Sequence, residues 1–436
     1  MVFSCLHTKN KLVTLLLIAA VAMCQLSACQ TSLQSNTNDI DVADNDASVL
    51  YLPDNTPYSW IRDGSYNDLS YENQQALVNS VSFSLDTYTN FNSVVTAPSG
   101  DVYVAGQTHN NEGFGCAFII RYDEALNQTN VNEMGDFLNI ASLVVSETGE
   151  VYALGWSELG NSIIKLDAQL TEISRSDDIS EVTLRSMCIS ADQRLYICGS
   201  VQANDGRNTK GLLVEYTTEL CLNNKTVWDS KLNNEFMIVK LSGDGTIYIT
   251  GFAYESQVSV TEAVVLKYDK SLNLLTVTSK SEQDCYCIFT AIAVAPDNAV
   301  YVSYYYSTGV ETSSYIIKLD SDLLEVSVLS MVEAYDCFPA YYPSIDIFSL
   351  EIDTAGWLYA VCQIGSYSTD ADGAILLLDD DLTVRNHVVW GSDARESFVG
   401  IAIGNDLEVY IIGESNLTYS EKQVKHYNPT MAIILN

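Results

Sequence analysis

The chain has 436 residues, and its 56 Asp and Glu outnumber its 21 Lys and Arg, which gives a formal net charge of −35 at pH 7. A surface this acidic repels phosphate backbones and anionic lipid head groups. Nucleic acid is therefore excluded as an expected partner, whereas cationic ligands, metal ions and basic protein patches are electrostatically permitted.

Residues 1–28 have the pattern of a secretory signal peptide. Lys9 and Lys11 precede an apolar stretch from Leu12 to Met23. This stretch is too short to span a bilayer as a mature helix but is typical of a signal peptide. Removal of this segment with its two lysines would make the remaining chain still more acidic.

The signal ends in Leu26-Ser27-Ala28-Cys29, which resembles the lipobox of bacterial lipoproteins. The resemblance implies cleavage before Cys29 and acylation of that cysteine, including palmitate, so that the protein is exported and anchored to a membrane. More than one acyl chain makes such anchoring stable. Gln30 follows the cysteine, which in that family implies the outer membrane of a Gram-negative cell. An ordinary signal peptide with a chance cysteine is the alternative.

Residues 29–50 are rich in Ser, Thr, Asn, Gln and Asp and contain few large apolar side chains. Such a composition cannot bury enough surface to fold alone. We interpret this segment as a flexible tether, with a root-mean-square reach of roughly 25 Å. Residues 51–436 are predicted to form a single domain, in which residues 51–75 pack across an outer surface or one end.

A strand hairpin recurs seven times in this domain, at intervals of roughly 44 to 58 residues, and each copy is marked by a tyrosine: Tyr103, Tyr152, Tyr196, Tyr248, Tyr301, Tyr359 and Tyr410. Apolar residues alternate with polar ones before each tyrosine, which predicts a strand with one buried face. The stretch between, such as Pro98-Ser99-Gly100, contains turn-forming residues, so strand, turn and strand form a hairpin. The repeat length matches one four-stranded propeller blade.

A third strand follows each variable loop and ends in an acidic or polar residue, as in Val264 to Asp269 and Tyr315 to Asp320. A short turn and a fourth strand come next. These turn aspartates could be calcium ligands, but Asp side chains commonly accept hydrogen bonds from the amides of their own turn. We therefore interpret them as turn caps.

The fold class predicted from this pattern is all-β: a seven-bladed β-propeller of four-stranded antiparallel blades. The blades start near residues 91, 140, 184, 236, 289, 347 and 398. The seventh unit ends after its third strand, and a spare strand at about 77–86 precedes the first unit. Pairing of the two would complete the last blade and close the ring without an exposed edge.

The repeat resembles the bacterial seven-bladed β-propeller repeat family. Matching segments are Gly100-Asp101-Val102-Tyr103-Val104-Ala105-Gly106, Ile163-Ile164-Lys165-Leu166-Asp167 and Ile316-Ile317-Lys318-Leu319-Asp320. The chain departs from the family where Tyr304 and Cys362 replace the glycine after the tyrosine, and where Thr217 replaces the aspartate. The family motif is structural, so the resemblance implies the fold and no catalytic residue.

Eight cysteines follow Cys29: Cys116, Cys188, Cys198, Cys221, Cys285, Cys287, Cys337 and Cys362. An even number in an exported chain is compatible with disulfides, although eight cysteines allow 105 pairings. We predict two candidate pairs, Cys188 with Cys198 within one hairpin and Cys285 with Cys337 in equivalent loops. A zinc site at Cys285 and Cys287 is disfavoured because no histidine lies nearby. No cofactor and no metal site is predicted.

The connections from second to third strand, and from one blade to the next, emerge on the same face of a propeller, which we call the loop face. Variable loops are the natural place for function. Tyr335, Asp336, Tyr341 and Tyr342 form the most unusual local composition in these loops. Aromatic faces near carboxylates suit sugars or cations, although tyrosines of large loops also serve to hold the loop's shape.

His109 and His426 lie in equivalent loops of the first and last blades. They would be neighbours in a closed ring and could share a site, the alternative being two separate solvent-facing side chains. No Gly-x-Ser-x-Gly motif accompanies them, so serine hydrolase chemistry is not indicated.

The leading functional hypothesis is a lipid-anchored envelope propeller that binds another macromolecule through its loop face without catalysis. The alternative is a carbohydrate-binding or carbohydrate-cleaving propeller, which rests on the loop tyrosines and on nearby carboxylates: Glu181, Asp284, Asp336, Asp393 and Glu396.

Overall fold

The computed structural model describes residues 78–82, 88–109, 115–177, 179, 182–203, 208–230, 232–255, 261–309, 312–331, 345–366, 370–390, 395–405, 408–416 and 430–435. Within these ranges the secondary structure consists of β-strands and turns. No helix of the described chain has the length and apolarity needed to cross a bilayer.

The strands of the described residues form seven four-stranded antiparallel sheets, which we number as blades in chain order. Blades 1 and 2 contain β2 (Tyr88–Thr96), β3 (Val102–His109), β4 (Gly115–Tyr122), β5 (Gln128–Met134), and β6 (Asn139–Val145), β7 (Val151–Ser157), β8 (Gly160–Leu166), β9 (Glu172–Arg175). Blades 3 and 4 contain β10 (Val182–Ile189), β11 (Arg194–Gln202), β12 (Thr209–Thr217), β13 (Leu222–Trp228), and β14 (Asn233–Leu241), β15 (Ile247–Tyr254), β16 (Thr261–Tyr268), β17 (Leu274–Lys280). Blades 5 and 6 contain β18 (Tyr286–Val294), β19 (Val300–Ser307), β20 (Thr312–Leu319), β21 (Glu325–Ser330), and β22 (Ile345–Ile352), β23 (Leu358–Ser366), β24 (Asp370–Leu378), β25 (Val384–Trp390). Blade 7 contains β26 (Arg395–Ile403), β27 (Val409–Asn416), β28 (Thr430–Leu435) and the N-terminal β1 (Val78–Ser82).

The predicted all-β architecture of four-stranded antiparallel blades is confirmed. Each first strand begins about one to three residues earlier than the sequence pattern suggested. A register shift interrupts every pairing of first and second strand, for example between Phe91 and Ser93 in blade 1 and between Phe236 and Ile238 in blade 4. Such a bulge breaks the period-two alternation. The alternation of apolar and polar residues in the sequence therefore identifies only the part of the strand that follows the bulge.

The first strands form the inner layer of the molecule. Each first strand contacts the first strands of the blades before and after it, and β2 of blade 1 contacts β26 of blade 7. The fourth strands lie at the outside, and most of their side chains are exposed, as in β9. Functional side chains can therefore lie along the first strands, in the grooves between blades or on the two faces.

The hydrophobic core is divided into seven clusters in the described residues, and each cluster lies between two neighbouring blades. One of them joins the two ends of the chain, because Phe91 and Val104 of blade 1 pack with Tyr410 and Ile412 of blade 7. Two hydrogen bonds cross the same boundary: Thr96 Oγ1 donates to the carbonyl of Ile403 at 2.9 Å, and Asn405 Nδ2 donates to the carbonyl of Pro98 at 2.9 Å.

The N-terminal strand pairs with the C-terminal strand, as the sequence predicted. β1 runs antiparallel to β28, with Val78 opposite Leu435 and Ser82 opposite Thr430. The described strand is shorter than the predicted one at about 77–86. Blade 7 therefore obtains three strands from the C-terminal end of the chain and its outermost strand from the N-terminal part.

The turn from third to fourth strand has one construction in blades 1, 2, 4, 5 and 6. In blade 4, Asp269 Oδ1 accepts hydrogen bonds from the amides of Ser271 at 2.8 Å and Asn273 at 2.9 Å. The equivalent aspartates are Asp123, Asp167, Asp320 and Asp379. These residues are turn caps, as we interpreted them, and no group of potential metal ligands occurs in the described part of the chain.

A leucine in the left-handed backbone region lies within each of these turns, three residues after the aspartate. Leu272 has φ of 63° and is 4 % exposed. A non-glycine residue in this region is strained, so burial of the side chain has to offset the strain. The same leucine occurs at the other third-to-fourth-strand turns: Leu126, Leu170, Leu220, Leu323 and Leu382.

The predicted disulfide pairs are not formed. Cys188 and Cys198 are both free thiols, because the bulge in β10 places Cys188 opposite Tyr196 and Cys198 opposite Ser186. The two cysteines are thus diagonal to each other. Cys285 is also a free thiol, and Cys337, its predicted partner, lies outside the described residues.

Candidate functional site

The seven repeat tyrosines are all buried, and none is more than 8 % exposed. In three blades the hydroxyl reaches the third-to-fourth-strand turn of the next blade. Tyr103 donates to the carbonyl of Ala168 at 3.0 Å, Tyr152 to the carbonyl of Thr218 at 3.3 Å, and Tyr301 to a carboxylate oxygen of Asp380 at 2.9 Å. These tyrosines connect neighbouring blades and belong to the scaffold.

A lysine of the third strand lies close to the repeat tyrosine of its own blade in three blades. Lys165, Lys267 and Lys318 lie 5.7, 6.0 and 5.7 Å from the ring centroids of the repeat tyrosines in their own blades. Lys267 Nζ also donates to the carbonyl of Ser321 in the next blade at 2.6 Å. The repeated Lys-Leu-Asp and Lys-Tyr-Asp segments are therefore structural.

Three tyrosines that the repeat does not account for meet in the groove between blades 4 and 5. We call Tyr304, Tyr306 and Tyr315 the tyrosine cluster. Tyr304 is fully buried, whereas Tyr306 and Tyr315 are half-buried and pack on the core cluster between these blades. The rings of Tyr306 and Tyr315 are nearly parallel, with centroids 6.1 Å apart and an interplanar angle of 17°. The cluster lies toward the loop-face ends of β19 and β20.

Charged groups surround the tyrosine cluster. Lys280 Nζ lies 5.6 Å from the centroid of the Tyr304 ring and forms a 2.9 Å ion pair with Glu325. Glu282 is exposed in the loop that precedes β18. Burial, the hydrogen bond with Tyr306 and the nearby charge of Glu282 raise the pKa of the Tyr315 phenol. The Tyr315 phenol thus remains a neutral hydrogen-bonding group at ordinary pH.

The buried end of the cluster is held by a thiol. Tyr304 Oη donates to Cys287 Sγ at 3.1 Å, and the same sulfur accepts a hydrogen bond from the amide of Glu282 at 3.4 Å. Burial first, and then the contact with Cys287, raise the pKa of Tyr304. Cys287 therefore orients the tyrosine and the loop that carries Glu282, a structural role rather than that of a metal ligand.

Tyr304 occupies a position that is glycine in five of the seven blades. In blades 1 and 3, a Cβ at Gly106 or Gly199 would lie 1.9 Å from the carbonyl oxygen of Asn90 or Thr183. Blade 5 accommodates a tyrosine opposite Phe289 instead. The sequence signalled this exception through the run Tyr304-Tyr305-Tyr306, but the repeat alone could not show that Tyr315 joins it.

A second polar feature connects the first strands of blades 4 and 6. Lys240 of β14 and Glu351 of β22 form a 2.6 Å ion pair, although β18 separates these strands. The pair therefore connects two blades that are not consecutive in the chain. Burial alone would lower the pKa of Lys240, but the charge of Glu351 and its hydrogen bond raise it above its ordinary value. Arg185 and Glu235 form a similar pair at 3.1 Å between blades 3 and 4.

Most sequence-predicted site residues lie outside the described residues: Cys29, Tyr335, Asp336, Tyr341, Tyr342 and His426, together with Glu181 and Asp393. His109 is the last residue of β3 and pairs with Gly115, but its side chain is not described, nor is that of Glu396. Asp284 is exposed near Glu282. The shared histidine site and the loop-tyrosine site remain predictions.

No family model matches the chain, and no curated protein matches it. Solved structures do. The Dos1 propeller has a TM-score of 0.51 at 8 % identity and covers 83 % of this chain and 95 % of its own. The uncomplexed acylaminoacyl peptidase of Pyrococcus horikoshii has a TM-score of 0.50 at 10 % identity over 80 % of this chain, which spans about half (51 %) of the peptidase chain. The β-propeller domain of the Trilobed protease from Pyrococcus furiosus has a TM-score of 0.47 at 11 % identity, covering 79 % of this chain and 93 % of that domain.

The likenesses to the Dos1 propeller and to the acylaminoacyl peptidase show the fold class. The chain is a β-propeller built from repeated four-stranded antiparallel blades. Identities this low show the fold alone and transfer no activity.

Proposed function

We propose that this protein is a non-enzymatic binding protein of the cell envelope, which holds a macromolecular partner at its loop face and is anchored through acylated Cys29. One observation carries the binding role. The tyrosine cluster places two half-buried, nearly parallel rings toward the loop face, beside the exposed carboxylate of Glu282. Aromatic side chains with polar tips are enriched in protein interfaces because they bury a large area with little loss of conformational freedom.

We further infer that the seven sheets form one closed ring, in which β1 completes the last blade. This inference is supported by the pairing of β1 with β28, by the core cluster shared by blades 1 and 7 and by the hydrogen bonds of Thr96 and Asn405 across that boundary. A closed ring holds its loops on a rigid frame, which reduces the ordering cost of binding.

Anchoring at the membrane is supported by the basic, apolar and Leu-Ser-Ala-Cys segments at the N-terminus. The test is mass spectrometry of the mature N-terminal peptide together with fractionation of the cell envelope. Wild-type protein should carry acyl chains on Cys29 and sediment with outer membrane, and Cys29→Ser protein should carry none. An unmodified Cys29 in the wild-type protein would refute the anchor.

The binding role is tested by affinity capture from detergent-solubilised envelope, with three forms of the protein compared side by side. Wild type and Glu147→Ala should recover the same partner, because Glu147 is exposed at the opposite face. The double variant Tyr306→Ala/Tyr315→Ala should recover less of this partner than wild type does, when the two proteins are compared at a temperature at which both are folded. Absence of a reproducible partner in the wild-type sample would count against the proposal.

A carbohydrate ligand is the second candidate function. The nearly parallel rings of Tyr306 and Tyr315 beside Glu282 also provide a stacking surface with a hydrogen-bond acceptor. A glycan array and polysaccharide cleavage assays test this candidate. Absence of binding and of cleavage would remove it.

A further inference from the structure

The chain already places one of its own cations on the tyrosine cluster. Lys280 Nζ lies 5.6 Å from the centroid of the Tyr304 ring, within the range of a cation–π interaction. Its ion pair with Glu325, at 2.9 Å, holds the ammonium group between the outer strands of blades 4 and 5. The cluster therefore has the electron-rich ring faces that attract an ammonium or guanidinium group.

The two outer rings retain exposed surface. Tyr306 and Tyr315 are half-buried, and Tyr304 packs against both with centroid distances of 6.2 Å. These contacts fix both rings in the groove. Little side-chain freedom is then left to lose when a ligand binds there.

Negative charge lies beside these rings. Glu282 and Asp284 are exposed in the loop before β18, and neither forms an ion pair with another described residue. Glu282 is close enough to raise the pKa of both Tyr304 and Tyr315. The whole chain has 56 acidic and only 21 basic residues. The resulting negative potential also favours the binding of a cationic ligand.

We propose that the Tyr306–Tyr315 pair, together with Glu282, receives a lysine or arginine side chain from a basic segment of the protein's partner. The proposal rests on the proposed function and specifies the chemistry of the partner. The ring faces attract the cation, and Glu282 supplies the opposing charge at the rim of the groove. A polybasic segment could place one side chain in the groove and others against the acidic loop face.

The test uses acetylated hexalysine amide as the probe and isothermal titration calorimetry with the full mature protein. Tyr306→Phe/Tyr315→Phe keeps both ring faces and should bind within about twofold of wild type. Tyr306→Leu/Tyr315→Leu keeps apolar bulk but removes the rings and should weaken binding about 5- to 30-fold. Thermal melts identify any Leu variant that is not folded, and in that case Tyr306→Leu alone is compared with Tyr306→Phe alone.

Two charge variants distinguish binding at the tyrosine cluster from attraction by the overall negative charge of the protein. Glu282→Gln should weaken binding at least about threefold and reduce its salt dependence, whereas Glu147→Gln, at the opposite face, should change the affinity less than twofold. Equal affinity of the Leu and Phe variants would overturn the proposal, as would binding of neutral oligosaccharides in place of the peptide. If the envelope partner is captured equally by the Leu variant but less by Tyr306→Ala/Tyr315→Ala, this inference fails while the proposed function stands; if no partner is captured by the wild-type protein, the proposed function itself fails.

Discussion

The hydroxyl of Tyr103 donates a 3.0 Å hydrogen bond to the carbonyl oxygen of Ala168 in the next blade. The tyrosine that marks the repeat in the sequence is thus the residue that joins one repeat to the next. Since the ring packs in the core between blades 1 and 2, a single side chain contributes both apolar burial and a polar contact to that boundary.

Replacement of Tyr103 by Phe should lower the free energy of unfolding by about 1 kcal/mol, because the carbonyl of Ala168 loses its buried partner. Tyr122→Phe is the matched control, since the buried Tyr122 hydroxyl has no hydrogen-bond partner among the described residues. It should leave the stability unchanged or raise it. Urea denaturation followed by fluorescence measures both variants. Equal losses in the two would show that the Tyr103 hydrogen bond contributes nothing specific.

Leu272 should not tolerate glycine, despite its φ of 63°. Glycine would relieve about 1 kcal/mol of backbone strain but would remove a buried leucine side chain, a loss of about 2–5 kcal/mol. The net expectation is destabilisation by roughly 1–4 kcal/mol in denaturant titrations. Gln193 has a similar φ of 61° but is half-exposed, so Gln193→Gly should change stability by less than about 0.5 kcal/mol. A neutral Leu272→Gly would contradict the burial argument.

The ion pair between Lys240 and Glu351 should show a measurable coupling. Both side chains are about one-third exposed, at 35 % and 28 %, so solvent screening limits the expected coupling to about 1 kcal/mol. The measurement is a double-mutant cycle with Lys240→Met, Glu351→Gln and the double variant, each followed by urea denaturation. A coupling energy of zero would mean that the pair does not bridge blades 4 and 6 in solution.

Acid should weaken the hairpin turn of blade 4. The pKa of Asp244 is lowered because the Ser242 hydroxyl and the Thr246 amide donate hydrogen bonds to its carboxylate. A carboxyl with a folded pKa below its unfolded value of about 3.9 contributes stability above that value and loses it as the pH falls through the folded pKa. The stability difference between wild type and Asp244→Asn should therefore narrow between pH 6 and pH 2. A difference that stays constant over this range would refute the expectation.

The free cysteines should differ sharply in reactivity. Cys221 is exposed, whereas Cys198 and Cys362 are buried, and burial raises the pKa of Cys188 to about 12. Thiolates are the reactive species, so iodoacetamide should alkylate Cys221 first in the folded protein and leave Cys188, Cys198 and Cys362 unmodified. Peptide mapping without reduction provides the readout. A peptide with Cys188 linked to Cys198 would contradict the observed register.

The interpretation of the turn aspartates from sequence succeeded because their role is local. Asp269 contacts amides two and four residues further along the chain, so the segment contains all the information needed. The pairing of the first and last strands was also predictable. The last repeat lacks its fourth strand, and one unassigned strand precedes the first repeat, so the pairing of these two is the simplest way to complete the last blade. The disulfide prediction failed because the bulge in β10 moves Cys188 and Cys198 out of opposition.

The sequence by itself determined the all-β class, the repeat unit and the acidic character of the protein, because alternation, turn residues and charge are properties of short segments or of composition. Only the tertiary structure decided which distant residues meet. Tyr304 and Tyr315 lie opposite each other on neighbouring strands, and Lys280 of another blade lies over the Tyr304 ring. Lys240 of blade 4 likewise reaches Glu351 of blade 6. Such contacts depend on the twist of each blade and on the packing of one blade against the next, which no local pattern specifies.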